Sequence, residues 1–331
     1  MADASTSLDL PRELLAQLPT TIHPVHYAWA DTRLFVKRDD LTGVGLTGNK
    51  VRKLEYLIAD AKQQGCDSLI TCGGLQSNHA RATAIAAAMT GMQAVLVLGG
   101  EPPAELDGNL LLDHIVGADV RIVRVNVPGE RTAAMLAAAD ELRARGRKPY
   151  VMPSGGSNEV GALGYMRAAW EIHQQLTADQ NIGCVIVPVG SGGTFAGLWL
   201  GARLAELRPR VVGAIIEGTI ADWRNFLADY INRTAVRWSL DIRAKPQELE
   251  LVDGAGRGYA QNTPEEIQFI VSFARATGLL LDPVYTGKAL YAVDRELRAA
   301  RFDPSGNVLF IHTGGVFGIF PKRHEFTRAI N

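Results

Sequence analysis

The sequence predicts an α/β protein built on parallel sheet, and three observations carry that expectation. Short runs rich in Val, Ile and Leu alternate with helical patterns along the chain, an order that places helices on both faces of a mainly parallel sheet. The runs are continuously apolar rather than alternating, as in strands buried on both faces. Glycine clusters follow three of them, in "CGGLQSN", "VGSGGTFAG" and "HTGGVFG". Ligands of parallel α/β sheets bind beyond the carboxyl ends of the strands, and glycine there allows close approach to the backbone.

In chain order the expected strands are "RLFVKR" (33–38), "SLITCGG" (68–74), "AVLVLGG" (94–100), "VRIVRV" (120–125), "PYVMP" (149–153), "CVIVPVG" (184–190), "RVVGAIIEG" (210–218) and "NVLFIHTGG" (307–315). The clearest helix is "NTPEEIQFIVSFARATG". Thr263 can cap it, Pro264 suits its first position, Glu265 and Glu266 suit its first turn, and Gly278 stops it.

The 331 residues suggest about two domains. No Pro/Gly/Ser-rich linker divides the chain, so a second domain is expected as an insertion. Composition is that of a globular protein, 47% hydrophobic and 21% charged. A net charge of −1 gives no general attraction to nucleic acid or an anionic membrane. No apolar run is long enough to span a bilayer. The N-terminal "MADASTSLDLPRELL" has neither a basic-then-apolar signal nor the acid-poor character of a transit peptide, which makes the cytoplasm the expected location. Cys66, Cys72 and Cys184 are too few and too scattered for a disulfide framework or a metal pair, and buried free thiols are expected. No metal site is expected.

"GVGLTGNK" (Gly43 to Lys50) resembles a phosphate-gripping loop only in outline. A P-loop needs lysine directly after the second glycine and then Ser or Thr. Here Asn49 takes the lysine position and Val51 follows Lys50. One residue on a helix is a turn of about 100°, so Lys50 would point the wrong way. "VIVPVGSGGTFAGLWLGARLAEL" reads instead as strand, turn and helix. Ser191, Gly192, Gly193 and Thr194 would offer backbone N–H groups and hydroxyls at a helix N-terminus. Phe195 stands where a dinucleotide fingerprint needs its third glycine, so the loop suits a single phosphate. A tight strand–helix turn would explain the glycines equally well.

Five segments together resemble D-cysteine desulfhydrase and 1-aminocyclopropane-1-carboxylate (ACC) deaminase. They are "TGNKVRKLEYL" (47–57), "GGLQSNHAR" (73–81), "SGGSNEVGALGY" (154–165), "LLDPVYTGKA" (280–289) and "FIHTGG" (310–315). Both families belong to the tryptophan-synthase-β-like, fold type II group of pyridoxal-phosphate (PLP) enzymes. The resemblance implies two open, twisted, mainly parallel sheets flanked by helices. A small domain of residues 51–160 would be inserted into a large PLP-binding domain of residues 1–50 and 161–331. A homodimer and a small amino-acid substrate are implied as well.

By this resemblance Lys50 forms the Schiff base with PLP, although alone it would pass for a solvated helix lysine. The chemistry needs an amine that is neutral often enough to attack, and a helix N-terminus disfavours its charge. Lys53, one turn on, matches a lysine that pairs with the cofactor phosphate, joining Ser191 to Thr194. Arg52 is expected to point elsewhere, as an ordinary surface or packing residue. Ser77, Asn78 and His79 match residues that bind the substrate carboxylate, with Ser77 also a catalytic candidate as nucleophile or proton carrier and Asn78 also touching the cofactor's phenolic oxygen. A Ser cap and an Asn turn are the plain alternative. Tyr285 and Tyr259 match the active-site tyrosine pair, able to move protons or stack on the ligand, or else to fill the core.

Two positions separate the sister activities. ACC deaminases have Glu where this chain has Thr286 and Leu where it has Thr313. A threonine hydroxyl can hydrogen-bond an unprotonated pyridine nitrogen, which leaves the ring a weaker electron sink. Opening a cyclopropane should demand the stronger sink, whereas β-elimination of a thiolate should demand less. The expected activity is therefore D-cysteine desulfhydrase, releasing pyruvate, hydrogen sulfide and ammonia. The rivals are ACC deamination, L-cysteate sulfo-lyase activity, a non-catalytic PLP carrier or sensor, and a nucleotide-binding oxidoreductase.

Overall fold

A computed structural model describes residues 10–124 and 129–330. The strands are β1 (Ile22–Trp29), β2 (Thr32–Lys37), β3 (Ser68–Gly74), β4 (Gln93–Gly99), β5 (Asp119–Val123), β6 (Pro149–Val151), β7 (Ile182–Val189), β8 (Arg210–Ile215), β9 (Glu250–Asp253) and β10 (Asn307–Ile311). The helices are α1 (Asn49–Gln63), α2 (Asn78–Met89), α3 (Gly108–Ile115), α4 (Glu130–Ala144), α5 (Leu163–Gln175), α6 (Gly193–Leu204), α7 (Ile220–Arg237), α8 (Pro264–Thr277), α9 (Thr286–Arg298) and α10 (Arg323–Ile330).

Two sheets result. One has the order β1-β2-β10-β7-β8-β9, the other β5-β4-β3-β6. Every pairing is parallel except β1 with β2. The smaller sheet draws only on residues 68–151, and the larger on residues 22–37 and 182–311.

The continuous apolar runs have a plain cause. Leu309 and Ile311 of β10 face one core with Val185 and Val187 of β7. Val308 and Phe310 face a second core with Cys184 and Ile186. Successive side chains of a strand point to opposite faces, and helices cover both. In the smaller sheet, Leu96 and Leu98 of β4 face α1 and α2, while Val95 and Val97 face α4.

Two strands escaped the sequence reading. β1 has Pro24 and alternating burial and lies at an edge, so it lacks the apolar run of a central strand. β9, four residues long, is the opposite edge. The segments "IEG" and "HTGG" are not strand; the chain leaves β8 and β10 at Ile215 and Ile311 to form loops. Val125, taken into the fourth strand, lies outside the described residues. Helix α8 is capped as its sequence requires. The Thr263 hydroxyl accepts from the Glu266 N–H, and Glu266 accepts from the Thr263 N–H at 3.0 Å. The three thiols are free, with Cys72 and Cys184 buried and Cys66 half-buried.

Arg52 is neither surface nor ordinary packing. It is 1% exposed and donates to Asp39 at 2.8 and 2.9 Å and to Glu171 at 2.9 and 3.0 Å. Lys37 also pairs with Glu171, and the Tyr165 hydroxyl donates to Asp39. Burial acts to raise the pKa of both carboxyls, but the Arg52 guanidinium prevails and holds them below their ordinary values. The network ties α1 to β2, the following turn and α5. Arg52→Met should destabilise the protein by about 3–5 kcal/mol, because it strands buried charge. Both folded-state carboxyl pKa values are depressed, so the network's contribution is full at neutral pH and fades as pH falls through those values. Denaturant unfolding at pH 7 and in acid checks both statements; a loss below about 1 kcal/mol at pH 7 would contradict them.

Candidate active site

Lys50 lies in the first turn of α1 and reaches a cleft at the carboxyl ends of the strands. Gly48 makes this placement possible. It has φ +94°, and a Cβ on it would stand 2.7 Å from the Thr313 carbonyl oxygen. The loop before α1 therefore lies directly on the loop after β10, where the Asn49 N–H donates to Thr313 O at 3.1 Å.

Lys50 is buried, and its Nζ sits 5.9 Å from the centre of the Tyr285 ring. Burial pulls its pKa down to about 8, although Asp282 acts in the opposite sense. Roughly a tenth of the amine would then be neutral at pH 7, hundreds of times more than for an unperturbed lysine. Lys53 is wholly buried, and its Nζ bonds only to neutral oxygens, Gly155 O at 3.2 Å and Ser157 Oγ at 3.1 Å. Burial, and then Lys50, push its pKa well below the ordinary lysine value. Among the described residues neither lysine forms an ion pair. A buried cation without an anion is costly.

The missing charge has an evident place. Gly193 begins α6, and a Cβ there would stand 2.6 Å from Ser157 Oγ, 2.8 Å from Lys53 Nζ and 2.9 Å from the Tyr230 hydroxyl. A cation and two hydroxyls thus converge on a helix N-terminus whose first N–H groups have no partner within the helix. Gly192, the preceding residue, is left-handed with φ +82°. Such a cradle fits a phosphate monoester. Ser191 bonds Ser157 hydroxyl to hydroxyl at 2.7 Å, and Thr194 accepts from the Asn49 amide at 2.9 Å.

Asn78, Ser191, Thr194, Tyr285 and Thr313 line an inner pocket with Lys50 and Gly192. Ser77, His79 and Tyr259 line an adjoining cavity of about 350 Å³, again with Lys50 and Tyr285. Ser77 is both cap and cavity wall; its Oγ accepts from the Ala80 N–H at 3.2 Å at the start of α2. His79 is buried, and neither ring nitrogen has a hydrogen-bond partner among the described residues. Burial, then Lys50 and Lys53, lower its pKa well below 6.5, so the ring is neutral. The hydroxyls of Tyr285 and Tyr259 lie 3.3 Å apart. Burial raises both phenol pKa values and keeps them protonated at neutral pH.

Thr286 is the exception. It is fully buried outside both cavities; its hydroxyl donates to Asp282 Oδ1 at 2.7 Å and accepts from the Asp282 N–H at 2.8 Å. Its hydroxyl is thus engaged by Asp282 of the same chain. At the start of α9 the Asp282 carboxylate accepts from the N–H groups of Val284, Tyr285 and Thr286. Of the two discriminating threonines, only Thr313 lines the pocket.

The sequence reading missed Ser157 and Asp282, although both lie inside motifs it had selected. It also missed Tyr230, and Arg131 and Glu217, which line the larger cavity; these are single residues outside any motif.

The chain matches the family model described as pyridoxal-phosphate dependent enzyme over residues 14–314. It belongs to that family. A Pyrococcus abyssi protein, provisionally named 1-aminocyclopropane-1-carboxylate deaminase, is 42% identical over 298 residues, 90% of this chain and 88% of its own. An Arabidopsis thaliana protein, named bifunctional D-cysteine desulfhydrase/1-aminocyclopropane-1-carboxylate deaminase, mitochondrial, is 39% identical over 93% of this chain and 79% of its own. The crystal structure of an ACC deaminase homologue superposes with a TM-score of 0.91 at 36% identity, covering 99% of both chains. The fold is that of the type II PLP enzymes, and the chain is a PLP-dependent enzyme of the ACC deaminase group. No helix among the described residues is long and apolar enough to cross a membrane.

The donor set fits the cofactor: an amine close to neutrality stands beside a cradle that lacks its anion. Because Lys50 must be neutral to take up an aldehyde, uptake of PLP should accelerate with rising pH and level off above about 8. Stopped-flow absorbance of the cofactor-free protein measures this; a rate still climbing at pH 10 would mean an ordinary lysine. Gly193→Val would put a branched side chain among the ends of Lys53, Ser157 and Tyr230, which can move, so the fold should survive. Its PLP affinity should fall at least tenfold by equilibrium titration. Gly192→Val adds the strain of a positive φ, of order 1–3 kcal/mol.

Proposed function

We propose that Lys50 holds the PLP aldehyde carbon, that Lys53 and the start of α6 from Ser191 to Thr194 hold its phosphate, and that the chain eliminates sulfide from D-cysteine. The products would be pyruvate, hydrogen sulfide and ammonia. When bound, the cofactor withdraws electrons from the bonds at the substrate's Cα.

The remaining work belongs to the protein. Ser77, Asn78 and the first N–H groups of α2 bind the substrate carboxylate, as a helix N-terminus favours. Neutral His79 offers one ring N–H to the same group without adding charge. Lys50, displaced by the substrate's amine, takes the Cα proton; a pKa near 8 suits that task near neutral pH. The hydrogen-bonded Tyr285 and Tyr259 pass a proton to the departing sulfur. The narrow pocket keeps bulk water from the reacting atoms.

The observation that carries the choice of reaction is the lining of the inner pocket. Besides Lys50, its side chains are neutral, and Thr313 is the hydroxyl available to a pyridine nitrogen. A ring nitrogen without a carboxylate stays unprotonated and withdraws electrons weakly, enough to expel a thiolate. Thr286, bonded to Asp282, lies behind Thr313 in this role.

A second reading, ring opening of ACC to 2-oxobutyrate and ammonia, has more support from the relatives' names, several of which give that activity. The bifunctional name of the plant relative covers both. A homodimer, a cytoplasmic location and the division into a large domain and an inserted small one complete the proposal.

A panel of D-cysteine, ACC and L-cysteate, assayed for sulfide, 2-oxo acid and sulfite, tests it directly. Sulfide from D-cysteine should dominate. Thr313→Leu should raise the ratio of ACC to D-cysteine turnover several-fold; Thr286→Glu should chiefly destabilise, because it sets a second carboxylate against Asp282. A wild type that prefers ACC, or a ratio indifferent to Thr313→Leu, would hand the assignment to the second reading.

A further inference from the structure

Asn109 lies in the first turn of α3, outside the cleft and fully buried. Its side-chain amide bonds to the stretch from Gln76 to Arg81, and Arg81 carries the link on to the loop before Lys50. Nδ2 donates to Gln76 O and to Asn78 Oδ1, each at 2.9 Å. Oδ1 accepts from Arg81 Nη1 at 3.2 Å, and Arg81 Nη2 donates to Thr47 O at 2.7 Å, in the loop leading to Lys50. The backbone N–H of Asn109 donates to Gln76 Oε1 at 2.8 Å. Arg81 itself is locked under Phe317, its guanidinium 4.9 Å from the ring centre.

These bonds have a forced direction. A guanidinium only donates, and Arg81 remains charged at neutral pH even though burial lowers its pKa to about 10. Asn109 must therefore turn its oxygen to Arg81 and its nitrogen to Asn78. Asn78 must answer with its oxygen, which leaves its own NH₂ group pointing away from Asn109. That nitrogen is found beside Gly315, where a Cβ would come within 3.1 Å of it, and Asn78 lines the inner pocket. We infer that Asn109 is a positioning residue: it fixes the Asn78 amide so that a donor, never an acceptor, faces the cofactor's ring oxygen. The inference rests on the placement of the cofactor in this pocket.

A donor there holds the ring oxygen as an anion and sets the tilt of the ring. A reversed amide would set lone pair against anion. Asn109→Asp creates that reversal: it still accepts from Arg81 but offers Asn78 only acceptors, so Asn78 must turn its NH₂ group inward. Asn109→Ala removes the constraint without reversing it.

The test compares the affinities of the cofactor-free protein for PLP and for 3-deoxypyridoxal phosphate, which lacks the ring oxygen. Any intrinsic difference between the two compounds cancels when their affinity ratio is compared between wild type and variant. The preference for PLP should fall about tenfold or more in Asn109→Asp, the size of a charge-assisted hydrogen bond, and by less in Asn109→Ala. The visible band of the PLP-loaded protein should shift in wavelength in both, a signature that loss of stability alone does not produce. Thermal unfolding without cofactor identifies the folded variants, and where one fails to fold the other decides. An unchanged ratio and band in a folded variant would overturn the inference while leaving the cofactor site intact. A wild type that binds neither compound would overturn both.

Discussion

Two lysines on one face of α1, buried together and forming no ion pair among the described residues, are the constraint around which the rest is arranged. Burial disfavours the charge of both, and Lys50 adds to the cost of charging Lys53. Such a pair is eased by giving up protons or by binding an anion. One lysine is relieved by losing its charge to a carbonyl, the other by gaining a phosphate. The glycines at 48, 192 and 193 serve that arrangement, since each lets the backbone come where a side chain would stand. The cleft is thus defined by an electrostatic deficit as much as by its shape.

The opposite side of α1 does the reverse. Arg52 is surrounded by carboxylates and anchors the helix to β2 and α5. The helix is held where its charges are satisfied and left wanting where they are not. At the next helix the same economy recurs: Asn78 is held from behind by Asn109 and Arg81, while His79 keeps two unpartnered nitrogens. The supporting amide of Asn109 is bonded at both its oxygen and its nitrogen, whereas His79, facing the cleft, retains bonding capacity for a ligand.

Much of this was legible in the sequence. Central parallel strands announce themselves because both faces are buried, as in β7 and β10. The edge strands β1 and β9 do not, since half of their surface carries no apolar demand. Lys50, Ser77 and Tyr285 stood out through motifs that come in a fixed order. Arg52 was misread because a single charged residue on a helix says nothing of what the rest of the chain brings against it. Thr286 shows the converse: its place in a motif points to the ligand, while its bonds to Asp282 carry no signal in the sequence. Asn109 carries no local signal at all, because its role depends on the direction of bonds between three separate segments.

The central claim is that the lysine relieved by the cofactor's aldehyde is Lys50. Borohydride reduction of the PLP-loaded protein, followed by peptide mapping, reads this without reference to any reaction. The account predicts a pyridoxyl group on Lys50, absent from Lys53. A label on Lys53, on any other lysine, or on none would contradict it.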